Sequence, residues 1–252
     1  MPAGPVAGKT FFVLASCARK MAFTSATRLT NNHRAQQMKL KITLLLLVIL
    51  IPLTSYGNQP CINLYPDCQT LYDENPWSIA YYYGITGDDT FGQMVGGQFH
   101  RWPEHVQSAE LAYTLNKDNV VRRFFSPVVG VVQLAANVAI RQGSNEPTIY
   151  EFDPYIGFRW ANFPWNKTVM TTFALGEGIS YASHVPAIER SNSKETKQLL
   201  NYMLVEVTVA APAYPRLQLM FRIHHRSGAF GLYGAGNSGS NVIGLGIKYL
   251  FE

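Results

Sequence analysis

A histidine and a serine end an apolar stripe near the C-terminus of this sequence. From Leu217 onward alternate side chains are apolar, and His225 and Ser227 continue that series up to a glycine-rich loop. Alternate residues of a strand share one face, so these two polar groups are predicted to project from the same side, about 7 Å apart at the backbone. Serine as nucleophile and histidine as its base are the pair that serves acyl transfer.

The last segment of the chain repeats this layout. Ile243, Leu245 and Ile247 alternate on one face, and Asn241 is in phase with them. On an antiparallel neighbour, Asn241 would reach across to His225 and could orient its imidazole. This arrangement suits a catalytic group placed where a barrel wall meets lipid, and it favours a lipid substrate. The alternative is that a histidine and a serine near a strand end are simply interfacial polar groups.

The N-terminal part has the pattern of an export signal. Residues 42–53 are a short apolar run behind two lysines, and Ser55 and Gly57 of the segment 55–57 supply small side chains for cleavage. The run is shorter than the about 20 residues that a transmembrane helix needs. We therefore expect a signal peptide at 38–57 and a mis-assigned extension at 1–37, with a genuine unusual extension as the alternative. The expected mature chain is 58–252.

Charge must be judged without that segment. The whole chain has 21 Lys and Arg, 16 Asp and Glu, and a formal net charge of +5. Residues 1–57 hold seven of the basic residues and none of the acidic ones, which leaves 14 against 16, a net charge of −2. The basic balance therefore belongs to the export segment, and no nucleic-acid partner is predicted.

Two cysteines remain after the expected cleavage point. Cys61 and Cys68 lie close together in sequence, and in an oxidising compartment we expect them to form a disulfide. Metal binding is not favoured there because no histidine or further cysteine lies nearby. Neither a cofactor nor a metal is predicted for the chain.

Segments of about ten residues, rich in Tyr, Phe, Val and Thr and separated by Gly, Pro and Asn, recur through the mature chain. The eight segments are roughly 77–86, 107–116, 129–140, 148–160, 168–180, 200–210, 215–227 and 241–251. Their length fits tilted membrane-spanning strands. The predicted fold is therefore all-β: an eight-stranded antiparallel up-and-down transmembrane β-barrel, as one domain.

Alternation alone also fits a soluble sandwich or a lipocalin-like barrel with its apolar face inward. Three features favour the inverted arrangement: charges of both signs that can pair in a small lumen, aromatic residues at strand ends, and a last strand that finishes on Phe251. With both termini periplasmic, the longer loops are extracellular. The three polar residues of the site then flank the fourth outer loop, on the outside of the barrel and near the outer leaflet.

The residues HHRSGAF, a glycine-rich loop and NSGSN together resemble the end of the PagL family of lipid A deacylases. The resemblance covers some 30 residues and implies an outer-membrane barrel of a Gram-negative bacterium that hydrolyses the 3-O-linked acyl chain of lipid A. It implies His225 as base and Ser227 as nucleophile. The partner implied is lipopolysaccharide in the outer leaflet.

The sequence departs from that family at two positions. Asn241 stands where the family has a glutamate, and Gly228 replaces an asparagine of the oxyanion hole, so only its backbone N–H is offered there. Asp88 or Asp89 of the first loop could supply the missing charge, because the first strand closes onto the last. The alternative function is a non-catalytic outer-membrane barrel in adhesion or envelope integrity.

Overall fold

The fold is a closed barrel in which each of eight strands pairs with its antiparallel neighbours, and the first strand pairs with the last. A computed structural model describes residues 67–236 and 238–252. The strands are β1 (Trp77–Gly87), β2 (Arg101–Thr114), β3 (Val131–Gly143), β4 (Ile149–Trp160), β5 (Met170–Ala182), β6 (Leu199–Ala210), β7 (Leu217–Ser227) and β8 (Gly239–Phe251). The helices are α1 (Cys68–Glu74), α2 (Phe91–Val95), α3 (Val120–Phe125) and α4 (Ala187–Asn192), with a 3-10 helix at Ala229–Gly231.

The barrel wall is apolar outside and charged inside. On β7 and β8 the outward Leu219 and Leu245 are 56% and 61% exposed, whereas the inward Arg222 and Lys248 are at most 1% exposed. A soluble barrel would bury the leucines instead. An apolar exterior on a closed sheet satisfies every backbone group within lipid, so this is a membrane-spanning barrel of the outer-membrane type. None of the helices in the described ranges has the length and hydropathy needed to cross a membrane.

A charge network fills the middle of the barrel, and Glu206 is its centre. One oxygen of the Glu206 carboxylate accepts hydrogen bonds of 2.6 Å from Arg159 and from Lys248. The other oxygen accepts from the Arg222 Nε at 3.0 Å. Glu110 also contacts the Arg222 guanidinium at 2.5 Å. These side chains occupy the lumen of an eight-stranded barrel, which is narrow enough to be filled by side chains.

Short elements close both ends of the lumen. At the end that holds the C-terminus, α1 buries Leu71 and Tyr72 against strand residues, and the Tyr72 hydroxyl donates to Gln218 at 3.1 Å. At the other end, Glu189 of α4 is fully buried and accepts from Arg226 and Ser240, both at 2.8 Å. That end holds the loops 88–100, 183–198 and 228–238 and is opposite to both termini of the barrel, so with the termini periplasmic it is the extracellular end.

The eight predicted strands are confirmed, and seven of them agree with the structure to within three residues at each end. The second strand was expected at 107–116 and begins instead at Arg101, because Pro103 and the charged residues around it resemble a loop in sequence. Cys68 is disulfide-bonded. Cys61, the expected extension at 1–37 and the expected signal peptide at 38–57 lie outside the described residues.

Replacing Glu206 by Gln should destabilise the barrel by about 3–5 kcal/mol, since Arg159, Arg222 and Lys248 would then be buried without their shared anion. The free energy of unfolding in urea, followed by heat-modifiable gel migration, measures this. Glu146→Gln is the matched control, because its carboxylate meets Arg190 at the surface and should contribute less than about 1 kcal/mol. Equal effects of the two substitutions would contradict the central role of Glu206.

Candidate functional site

The three predicted site residues lie on the outer face of the barrel, where His225 and Asn241 are in contact. His225 and Ser227 end β7, and Asn241 lies near the start of β8, directly opposite His225 in the strand register. The fourth outer loop connects these strands, as the sequence indicates. All three side chains share the phase of the outward leucines of their strands, so the site faces away from the lumen.

A chain of hydrogen bonds orients the His225 ring. The Asn241 amide nitrogen donates to the Asp89 backbone carbonyl at 2.7 Å. That donation leaves the Asn241 carbonyl oxygen facing His225, and it lies 2.6 Å from the ring Nδ1. An amide oxygen only accepts, so Nδ1 must carry the proton. The neutral ring then has its lone pair on Nε2, which is the form a general base requires.

The first outer loop, residues 88–100, folds over this part of the wall. Its helix α2 begins with a capping box between Thr90 and Gln93. The ring of Phe91 lies 4.9 Å from the His225 ring, centroid to centroid. Asn241 is in consequence only 5% exposed although it faces outward. The loop therefore covers the orienting half of the site and shields its hydrogen bonds from water.

A clasp between Asp89 and His100 holds that loop closed. The Asp89 carboxylate accepts from the His100 backbone N–H at 2.5 Å and from its ring Nδ1 at 2.8 Å. The side-chain hydrogen bond lowers the pKa of Asp89 and raises the pKa of His100. Asp89 had been suggested as a source of charge for His225, but its carboxylate binds His100. Its contribution to the site is its backbone carbonyl.

Ser227 is two residues from His225 along β7 and is not hydrogen-bonded to His225 or Asn241. Its hydroxyl has no hydrogen bond to any residue in the described part of the chain, and its side chain is half-buried. Ser227 is opposite Asn201 of β6 and Gly239 of β8. Hydrogen bonds between a catalytic serine and histidine are often absent in the free enzyme and form only with substrate.

Gly228 does not fit the predicted oxyanion role. Its backbone N–H donates to the Ser238 carbonyl at 2.8 Å, so this donor is occupied in the structure. A Cβ on Gly228 would lie 2.5 Å from the Gly236 carbonyl oxygen, which no side chain tolerates. The presence of a glycine at position 228 is therefore explained by the close approach of two backbone segments in the fourth loop.

Three solved structures have similar barrels. The outer membrane enzyme PagL aligns with a TM-score of 0.46 and 13% identity, over 68% of this chain and 98% of that one. Neisserial surface protein A aligns with a TM-score of 0.41 and 10% identity, over 69% and 96%. OprG from Pseudomonas aeruginosa aligns with a TM-score of 0.29 and 12% identity, over 70% and 97%. TM-scores below 0.5 do not establish homology, and the fold is assigned from the strand pairing of this chain.

Neither a protein-family model nor a curated protein matches the sequence. The barrel architecture and its membrane orientation are therefore inferred from the strand pairing of this chain and from the alternation of apolar and polar side chains along its strands. The likeness to the PagL family is a sequence resemblance that is limited to the segment around His225 and Ser227.

A second cluster of titratable groups lies inside the barrel. Glu151, Asp153 and His224 each offer one atom within 4.8 Å of the others, a spacing that could hold a metal ion. The His224 Nδ1 lies 2.6 Å from the Tyr82 hydroxyl, so this histidine belongs to the lumen network. The cluster is on the opposite face of the wall from Ser227, so it takes no part in the site.

Two polar residues on the outer face are not predicted from the sequence. Glu177 of β5 and Asn201 of β6 share the phase of apolar neighbours, and the Asn201 amide nitrogen donates a short hydrogen bond to Glu177. In the sequence, each is a polar residue within a series of alternate apolar residues. Their position next to the site is recognisable only once the strand register places Asn201 directly opposite Ser227.

The closure of the first loop should depend on pH in a defined direction. His100 has a raised pKa, so its contribution is complete below its ordinary value of 6.5 and is lost as pH rises through the raised value. Asp89 has a lowered pKa, so its contribution is lost only as pH falls through that lowered value.

Hydrogen exchange of residues 88–100, corrected for intrinsic rates, measures this closure. Raising pH from about 6 to about 9 should reduce their protection, because His100 loses its charge. His100→Gln should abolish the change, whereas His184→Gln, in the third outer loop, should leave it intact. Persistence of the pH effect in His100→Gln would contradict the clasp.

Proposed function

We propose that this protein is a lipid ester hydrolase of the outer membrane that removes an ester-linked acyl chain from lipid A. The observation that carries the proposal is the hydrogen-bond chain from the Asp89 carbonyl through Asn241 to His225. It fixes an imidazole as a base on the same outward face as Ser227.

The reaction divides into two balanced steps. The Ser227 Oγ attacks the ester carbonyl carbon while the His225 Nε2 takes its proton, and a tetrahedral intermediate forms. When the intermediate collapses, the ester C–O bond breaks, and the leaving alkoxide takes the proton from Nε2 to depart as an alcohol. Water then attacks the acyl-serine with the same histidine as base. The fatty acid leaves, and Ser227 regains its proton.

Asn241 explains both how this site works and what limits it. An amide cannot stabilise imidazolium as a carboxylate does, and the corresponding Asp-to-Asn change in serine proteases costs about 10⁴ in rate. A carboxylate at this position, however, would face the Asp89 carbonyl with no N–H to donate. The asparagine therefore serves two partners, the loop and the imidazole, and a slower enzyme is the expected consequence.

The location of Ser227 favours an amphipathic lipid as substrate. The site is on the outward face at the extracellular ends of β7 and β8, where the apolar wall meets the headgroup layer. Lipid A carries its ester linkages at this level of the outer leaflet. The identity of the substrate rests on the resemblance of the segment around His225 and Ser227 to the PagL family.

Ser227→Ala should abolish the reaction. The test compares the mass of lipid A from Gram-negative cells that produce the native chain with that from cells that produce the variant. Loss of one hydroxyacyl group only with the native chain is the expected result. Ser126→Ala, at the opposite end of the barrel, is the control and should behave like the native chain. Identical spectra for all three would reject the hydrolase and favour a non-catalytic barrel.

Asn241→Leu should lower kcat/KM by about 100-fold, because it removes both the orientation of His225 and the anchor of the first loop. Asn241→Asp separates these roles. It should restore a charge for the imidazolium and at the same time loosen residues 88–100, which hydrogen exchange detects. Full activity of Asn241→Leu with an unchanged KM would show that Asn241 has no role in the reaction.

A further inference from the structure

Glu177 is an anomaly in the lipid-facing wall. Away from the strand ends, it is the only Asp, Glu, Lys or Arg of the eight strands whose side chain faces outward. Ile179 and Tyr181, 44% and 50% exposed, lie between it and the extracellular end of β5. It is therefore below the outer aromatic residues, within the apolar band. An ionisable side chain at that depth is costly and indicates a functional site.

The register places this residue next to the proposed site. Asn201 lies directly opposite Ser227, one strand away, and so about 5 Å from it at the backbone. Glu177 is opposite Met203, which is in turn opposite His225. The pair of Glu177 and Asn201 thus continues the polar patch of the site across two further strands.

Hydrogen bonding determines which atoms the pair presents. The Asn201 amide nitrogen donates to Glu177 and also lies 3.2 Å from the Gly178 carbonyl oxygen. Both of these partners only accept, so the Asn201 carbonyl oxygen points away from them. Within the described residues, neither that oxygen nor the second Glu177 oxygen has a hydrogen-bond partner. With Glu177 as a carboxylate, the pair presents two acceptors and no donor.

We propose that Glu177 and Asn201 form a subsite that binds a hydroxyl or amide N–H of the lipid next to the scissile ester. The inference rests on the proposed function and adds a specificity-determining element to it. An acylated amino sugar offers such donors from its hydroxyacyl chain and its amide. A diacyl glycerophospholipid offers none beside its esters. The subsite therefore selects the first class over the second and places its ester carbonyl at Ser227.

Three synthetic lipids test this selectivity with the purified full-length barrel. The first is a glucosamine with an amide-linked chain and an ester-linked 3-hydroxyacyl chain, the second lacks the 3-hydroxyl, and the third is phosphatidylcholine. Glu177→Leu and Asn201→Leu should each lower kcat/KM for the first lipid about tenfold or more, with less than about twofold change for phosphatidylcholine. An effect that persists with the second lipid assigns the amide as the donor, and one that disappears assigns the hydroxyl.

Folding does not confound these variants. Glu177→Leu removes a charge from the lipid-facing wall and should fold at least as well as the native chain, as judged by heat-modifiable migration. Leu175→Met, at the preceding outward position, is the matched control and should leave all rates unchanged. Equal losses for glucosamine lipids and phosphatidylcholine, or no loss for either, would overturn the subsite.

A binding measurement separates this inference from the proposed reaction. In the Ser227→Ala background, native mass spectrometry compares retention of the first lipid and of phosphatidylcholine. Adding Glu177→Leu should weaken glucosamine-lipid binding about tenfold and leave phosphatidylcholine unchanged. If the native chain cleaves no lipid in a Ser227-dependent way, the proposed function fails, and this binding difference still decides the subsite. Unchanged binding of the first lipid overturns it.

Discussion

The whole structure depends on the neutralisation of charge inside a narrow lumen. Glu206 binds Arg159, Arg222 and Lys248 at once, and these contacts connect β4, β6, β7 and β8 across the barrel. Because the polar faces of the strands are paired internally, the opposite faces are free to be apolar and to contact lipid. The outward phase of His225 and Ser227 is then fixed by the same alternation that directs Arg222 and Arg226 inward.

The site adds a second constraint to this frame. Asn241 satisfies a loop carbonyl on one side and an imidazole on the other, which a carboxylate could not do because it has no N–H to donate. Asn241 thereby binds the first loop to the barrel wall, and the contact between Asp89 and His100 stabilises the loop itself. The orientation of the His225 ring and the closure of the loop consequently depend on the same residue.

The sequence was sufficient for the barrel and for the phase of the site. Strict alternation in β4 and β7 determines which residues face outward, and pairing of the last two strands follows from their connection by a single loop. The covering of Asn241 could not be predicted, because its bond to Asp89 joins residues 152 positions apart. The occupied N–H of Gly228 depends on a loop conformation that glycine-rich sequence leaves open. Glu177 and Asn201 were missed because each is one polar residue within an apolar series.

The closure of the lumen at both ends determines how a reactant can arrive. Because α1 closes one end of the lumen and Glu189 lies buried at the other, no reactant approaches Ser227 through the interior of the barrel. Under the proposed function, a lipid would reach it by lateral diffusion in the leaflet, in two dimensions. Turnover should then follow the mole fraction of substrate in the bilayer instead of its bulk concentration. Inert lipid or detergent would slow the reaction by surface dilution without binding the protein.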